Sequence, residues 1–427
     1  MDRITRTSLI FLLLFLPLVS VASPTHAATF YVSVAGSNSN SGSATKPWAT
    51  IQYAANVALP GDTVIVQPGI YAGAKFSRSG LATARIVFVG KPGAVINQPG
   101  PFNSNGDNLW IRNAHYITLT GFESSNAPRS GIAIQGEPQA PAMNIILRNN
   151  FCHHNGRWGI FTGYAQNVRI VGNETSFSSL EHGIYVSNSA DNPLIHGNKA
   201  HHNHASGVQI NADPDLAGDG IITGALIEDN IIYENGAGGG AAINLASVRG
   251  SIIRNNLRYN NHASGIAGWD NGAGNMWGTK NNKVANNTIV MAANGRFALV
   301  FMNGSTGNHV KNNILIHTGA RGSIEADPSS LTGLQSDYNI VNNRFSLNET
   351  FITLAQWRTK GQDLHSLLWS SLTNLFVQPS LNNYRLAPNS LAIGTGASLS
   401  YVIDDLEGHS RPQGLGYDIG AYEKVLL

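Results

Sequence analysis

Along most of the chain, short apolar runs and polar residues return in one fixed order: an apolar residue, a variable one, a polar one, then Asn. The segments are Ile146-Leu-Arg-Asn-Asn150, Ile170-Val-Gly-Asn173, Ile195-His-Gly-Asn198, Ile227-Glu-Asp-Asn230, Ile253-Arg-Asn-Asn256, Val284-Ala-Asn-Asn287 and Val310-Lys-Asn-Asn313. Their last Asn residues are spaced 23, 25, 32, 26, 31 and 26 apart. Five residues beyond this anchor stands a second polar column of Asn155, Ser178, Asn203, Asn235 and Asn261. A small residue followed by an apolar one comes next: Gly159-Ile160, Gly183-Ile184, Gly207-Val208, Ala242-Ile243 and Gly265-Ile266.

A unit of this size with two or three short β runs cannot bury its own apolar face, so successive units must stack. The pattern predicts an all-β parallel β-helix, a solenoid in which each strand pairs with the equivalent strand one repeat away, about 4.8 Å along the axis. Asn suits the recurring turn, because it tolerates left-handed backbone and its amide can bond the Asn of the next coil. A leucine-rich repeat would show Leu at fixed spacing, whereas β-branched residues occupy these positions. An open solenoid end needs cover. The amphipathic stretch Thr50 to Ala58 predicts a short N-terminal capping helix. The organisation expected is a cap with the first coils over 28–110, central repeats over 111–345, and C-terminal coils with a capping segment over 346–427.

Composition narrows the classes. Only 12% of the 427 residues are charged and the net charge is +2, which excludes a basic nucleic-acid binder and a highly charged disordered chain. The 46 Gly and equally many Asn fit a chain made of turns. With Cys152 as its sole cysteine, the chain has no intramolecular disulfide, so packing alone must support it outside the cell. Residues 1–27 read as a secretory signal peptide: Arg3 and Arg6, an apolar run from Leu9 to Val21, then small residues to Ala27. That run is too short for a membrane span of about 20 residues, and no other stretch is long and apolar enough. The expectation is a secreted or cell-surface protein, extracellular or periplasmic, monomeric, with no membrane span after cleavage.

Trp48-Ala-Thr-Ile-Gln52 and Pro60-Gly-Asp-Thr-Val-Ile-Val-Gln-Pro-Gly-Ile-Tyr71 resemble the N-terminal cap and first coil of secreted bacterial right-handed, single-stranded β-helix proteins. Thr353-Leu-Ala-Gln-Trp-Arg358, Gly361-Gln-Asp-Leu-His-Ser366, Tyr384-Arg-Leu-Ala-Pro-Asn-Ser390 and Asp418-Ile-Gly-Ala-Tyr-Glu423 are similar to a further pattern in such chains. These proteins form the pectin-lyase-like superfamily of polysaccharide lyases, glycoside hydrolases and uronate C5-epimerases. The resemblance is specific for fold and weak for reaction, because one scaffold hosts many chemistries.

Candidate chemistry must form columns across coils. Two residues past each small residue lie Phe161, Tyr185, Gln209, Asn244 and Ala267; four past lie Gly163, Ser187, Asn211, Ala246 and Trp269. Strand parity turns both columns outward. Gln209, Asn211, Asn244 and Trp269 are the candidate substrate-binding residues, since sugar hydroxyls need hydrogen bonds and the C–H face of a pyranose needs an apolar platform. His182 and Tyr185 are candidates for the base and acid of uronate β-elimination. Lys280 joins them as a candidate because several lyases use Lys or Arg as base or charge neutraliser. Asp213 and Asp215, beside Asp219, offer oxygen ligands to a hard cation. Asp270 extends this group, which is also the plausible carboxylate set for hydrolysis. The lyase resemblance implies Ca²⁺ on a substrate carboxylate, although no established calcium-binding spacing is present. His153, His154, His201, His202, His204 and His262 fall into repeat columns, which a stacked turn explains without a metal. The leading expectation is a polysaccharide lyase acting on an acidic, uronate-containing polymer. An epimerase, a hydrolase and a non-catalytic glycan-binding or structural β-helix are the alternatives.

Overall fold

A computed structural model describes residues 27–101 and 104–425; the expected signal peptide lies outside the described residues apart from Ala27. The chain winds into a parallel β-solenoid with three sheets of 12 strands each. One coil shows the plan: Arg169–Val171 belongs to sheet 1, Glu174–Ser176 to sheet 2 and Ile184–Ser187 to sheet 3. The centre of each short sheet 1 strand points inward. Leu147, Ile170, Ile195, Ile227, Ile253, Val284 and Val310 therefore stack in register and are fully buried.

The Asn turn divides its work between two residues. The position before each anchor takes the left-handed conformation, with φ from 50° to 65° at Asn149, Gly172, Gly197, Asp229, Asn255, Asn286 and Asn312. The anchor Asn is buried instead, and its amide nitrogen donates to the next anchor's oxygen. These bonds run at 2.9, 3.1, 3.0, 2.8, 2.9 and 2.9 Å from Asn150 to Asn313. Each amide thus satisfies buried main-chain and side-chain groups of its neighbours, which is why the second Asn of the repeated Asn-Asn pair cannot be exchanged for the first. The second column behaves alike, with Asn203 donating to Asn235 at 2.9 Å and Asn235 to Asn261 at 3.1 Å. His154, Phe177 and His202 stand just before it in left-handed turns and stack ring on ring at 4.8 and 5.1 Å.

Both ends are closed. Thr50 caps the helix Ile51–Val57. Gln52 pairs its side-chain amide with the backbone of Lys75, donating at 3.0 Å and accepting at 2.8 Å, and so imitates a missing neighbour for the first strand of sheet 3. At the far end Thr353 caps the helix Leu354–Arg358, whose Trp357 stacks on Phe345 at 5.2 Å. The chain then runs back along the solenoid. Phe376, Tyr384, Leu386 and Tyr422 cover Leu257, Tyr259, Val290 and Ile316 on the outside of sheet 2, a stretch where the outward residues turn apolar and need burial. The outer face of sheet 3 holds the candidate columns, where Phe161, Gln209, Asn211 and Asn244 pack closely enough to be buried.

Candidate functional site

Backbone pairing places the outward residues of sheet 3 as column spacing predicts. Phe161 pairs with Tyr185, Tyr185 with Gln209, Gln209 with Asn244 and Asn244 with Ala267. Ser187, Asn211, Ala246 and Trp269 form the parallel column. The N-terminal section of this face is aromatic: Trp158 stacks on Phe161 at 4.5 Å, and Phe161 meets Tyr185 edge-on at 5.6 Å. Arg129 lies 5.4 Å over Phe161 and Arg157 lies 5.1 Å over Trp158. Each is also paired, Arg129 with Asp107 at 2.8 and 2.5 Å and Arg157 with Glu181 at 2.6 Å. The pairs and rings hold the guanidinium planes in place while cancelling much of the local charge.

Tyr185 stands where the aromatic section meets the polar one. Its hydroxyl donates to Asp213 Oδ2 at 3.4 Å, and burial, reinforced by the Asp213 charge, pushes its pKa up to about 12. Asp213 also accepts from Ser187 Oγ at 3.1 Å and from Asn211 Nδ2 at 2.8 Å. Burial raises the Asp213 carboxyl above its ordinary range against those bonds. Asn211, read from the sequence as a substrate contact, thus holds Asp213 in place, because Asp213's own N–H returns to Asn211 Oδ1 at 3.2 Å.

His182 packs edge-on against Tyr185 with ring centroids 5.2 Å apart. Its Nδ1 accepts from the Ser206 backbone N–H at 3.1 Å, so the neutral ring carries its proton on Nε2. Burial, with Arg157 nearby, lowers its pKa to about 4. The expected base is thereby a neutral donor: its one free lone pair is engaged by the backbone.

Further along the column, Gln209 Oε1 accepts from Ser206 Oγ at 3.1 Å and from Asn244 Nδ2 at 2.8 Å. Asn244 and Trp269 then open onto a cleft of about 430 Å³ shared with Arg296, Met302 and Glu325. The Trp269 strand lies three coils from the Tyr185 strand, about 14 Å along the axis, so the two address different units of one extended ligand. Lys280 follows that same strand and donates to the Met276 carbonyl at 3.1 Å; at this remove it cannot share one reacting atom with Tyr185. Asp270 ties down its own loop, accepting from Gly272 N at 3.0 Å, Gly274 N at 2.7 Å and Asn303 Nδ2 at 2.8 Å. Burial favours a raised carboxyl there, and these bonds overcome it, leaving Asp270 below the ordinary range. Asp213, Asp215 and Asp270 do not gather their oxygens at one point.

The group that does so, among the described residues, is His196 with Glu228 and Asp229. His196 and Glu228 pair on adjacent sheet 1 strands, and Asp229 is the left-handed turn residue after Glu228. His196 Nδ1 lies 3.1 Å from Asp229 Oδ2 and 3.4 Å from Glu228 Oε1. Sequence reasoning missed this group although its signal was present. His196 and Glu228 hold the same slot, two before the anchor Asn, in successive repeats.

No curated protein matches the chain by sequence. Among solved structures, the pectate lyase Pel9A matches with a TM-score of 0.68 at 17% identity, covering 93% of this chain and 96% of that one. XylC in complex with xylose matches at 0.55 and 12%, over 93% and 99%. A rhamnogalacturonan lyase matches at 0.51 and 17%, over 70% and 84%. These likenesses show the pectin-lyase-like parallel β-helix fold. A family model described as periplasmic copper-binding protein (NosD) matches residues 55–281, more than half of the chain, and the chain belongs to that β-helix family.

Proposed function

We propose that the outer face of sheet 3 binds a polysaccharide and that Tyr185, backed by Asp213, carries the proton transfers of β-elimination at a uronate unit. The observation that carries this reading is the hydrogen bond from Tyr185 to a half-buried, raised carboxylate, set between an aromatic platform and a row of amides. Asp213 accepts the phenolic proton as the Tyr185 oxygen takes the proton from C5. Tyr185 then protonates the departing O4 as the C4=C5 double bond forms, and Asp213 returns its proton to Tyr185. His182 Nε2–H serves as a neutral donor to the sugar, Gln209 and Asn244 position it, and Trp269 stacks a unit further along. Arg129 and Arg157 offer the uronate carboxylate their remaining N–H donors, with their charge already shared with Asp107 and Glu181. Two of the structures similar to this fold are lyases of pectate and rhamnogalacturonan, which supports a glycan ligand.

Export to the periplasm or beyond is part of the proposal. It rests on the apolar start of the chain and on the family's description; no helix among the described residues is long and apolar enough to cross a membrane. The test incubates the purified protein with a panel of uronate polymers, with and without chelator, and follows ultraviolet absorbance. A rise from unsaturated uronate is the expected result. New reducing ends without absorbance would mean hydrolysis, and binding without turnover would mean a glycan-binding protein. A changed uronate composition with neither signal would mean epimerisation.

A further inference from the structure

The corner formed by His196, Glu228 and Asp229 lies outside the groove and plays no part in the proposed elimination. Its geometry is that of a ligand set. Two donors on one tetrahedral ion, with bonds of 2.0–2.2 Å, stand about 3.3 Å apart. His196 Nδ1 stands 3.1 and 3.4 Å from its two carboxylate neighbours. It makes no well-formed hydrogen bond to either, and Asp229 Oδ1 is buried with no partner. The second oxygen of Glu228 is fixed by Arg254, whose Nε and Nη2 donate at 2.8 and 2.7 Å, the kind of outer support that orients metal ligands.

The backbone contributes as well. Asp229 occupies a left-handed turn with φ 59°, where the two preceding coils use Gly172 and Gly197. Placing Asp there costs about 1 kcal/mol of backbone strain and swings a carboxylate beside His196. The remaining side faces a cleft of about 520 Å³ walled by Arg385, Asp404 and Glu407 of the returning C-terminal segment, so one position stays open.

We propose that His196, Glu228 and Asp229 form a three-ligand site for a divalent transition-metal ion, with its fourth position open to this cleft. One imidazole and two carboxylates make a borderline donor set that takes Zn²⁺ and, by the Irving–Williams order, Cu²⁺ more tightly. The buried thiol of Cys152 lies in the solenoid core, away from this corner, so the site favours Cu²⁺ over Cu⁺.

The experiment strips the whole mature protein with chelator and titrates Cu²⁺ by calorimetry against excess glycine, which outcompetes weak surface imidazoles. Electron paramagnetic resonance follows the same titration. The expected result is one tight site per chain with coupling to a single imidazole nitrogen. His196→Gln and Asp229→Asn should each weaken it at least 100-fold, and His196→Gln should remove the nitrogen coupling. Circular dichroism of the metal-free variants should match the parent, with at most a modest fall in Tm from the lost ion pair. His365→Gln, which removes an exposed imidazole paired with Asp337, should leave the tight site intact. Tight binding retained in both corner variants, or lost equally in His365→Gln, would overturn the proposal. So would the absence of any site that survives glycine. None of these readouts involves polysaccharide turnover, so this test and that of the groove fail independently.

Discussion

His182 and His196 sit on consecutive coils, at the edge of sheet 3 and on sheet 1, and the molecule gives them opposite charge states. His182 is buried beside Tyr185 with a backbone N–H on its lone pair and Arg157 nearby, and its pKa falls to about 4. His196 is half exposed, and the close carboxylates of Asp229 and Glu228 raise its pKa above the ordinary imidazole value. In the first case desolvation wins and removes charge; in the second two anions win and keep it. The groove is therefore suited to neutral donors and proton relay. The corner, where two carboxylates converge on one imidazole, is suited to holding a positive charge at His196, a proton or the proposed metal ion in its place. Adjacent repeats can carry two chemistries because their sheets face different surroundings.

The largest effect tests the groove side of this contrast. Tyr185→Phe should lower kcat by about 10²–10⁴-fold with glycan binding nearly unchanged, since a proton-transfer group acts mainly in the transition state. Asp213→Asn should do likewise and should also erase the acidic limb of the pH–rate profile. In the parent that limb should lie above the ordinary carboxylate range, because burial raises Asp213. A Tyr185→Phe enzyme with parental kcat on a polymer the parent degrades would remove the groove from the comparison.

Asn198 underlies both sites, because it anchors the coil that carries His196 and holds Asn173, the anchor of the coil that carries His182. It donates to Ile170 O at 2.8 Å and to Asn230 at 3.0 Å, and accepts from Asn173 N at 2.9 Å. Asn198→Ala strands buried partners on both sides and should cost about 2–4 kcal/mol in urea unfolding. A loss under about 0.5 kcal/mol would mean that the ladder is decoration.

Protonation can be read directly. In the folded state His182 resists its proton while the unfolded chain accepts one near pH 6.5. Stability from this residue is therefore complete above that pH and declines as pH falls from about 6.5 to 4. The loss should be roughly 2–3 kcal/mol and should disappear in His182→Gln. Imidazole titration by NMR on metal-free protein should place His182 and His196 on opposite sides of 6.5. Both near 6.5 would dissolve the contrast. The smallest expected effect is at Trp269, whose replacement by Ala should weaken glycan binding roughly tenfold, the worth of one stacked ring, and leave kcat within about twofold.

The sequence alone determined the solenoid, its period, the cap over Ile51–Val57, and which residues share an outward column, down to Tyr185 beside Gln209. The reason is that strand parity and backbone pairing between coils are regular, so a residue's place in the repeat dictates its direction and its neighbours above and below. Tertiary structure decided what repeat arithmetic cannot express. Parity says that Asn211 points outward, but only the turn of Asp213 shows its amide holding a carboxylate. Spacing puts His182 beside Tyr185, yet its tautomer depends on where the Ser206 N–H lies. Position turns Arg258 inward, where it is fully buried and donates to Asn287 at 3.0 Å, against every expectation from its side chain. The corner cleft needs Arg385, Asp404 and Glu407, which arrive from a segment far along the chain that belongs to no repeat. Hydrogen-bond partners, charge states and the shape of a cleft are set by a few tenths of an ångström and by non-repeating neighbours, and those exist only once the chain has folded back on itself.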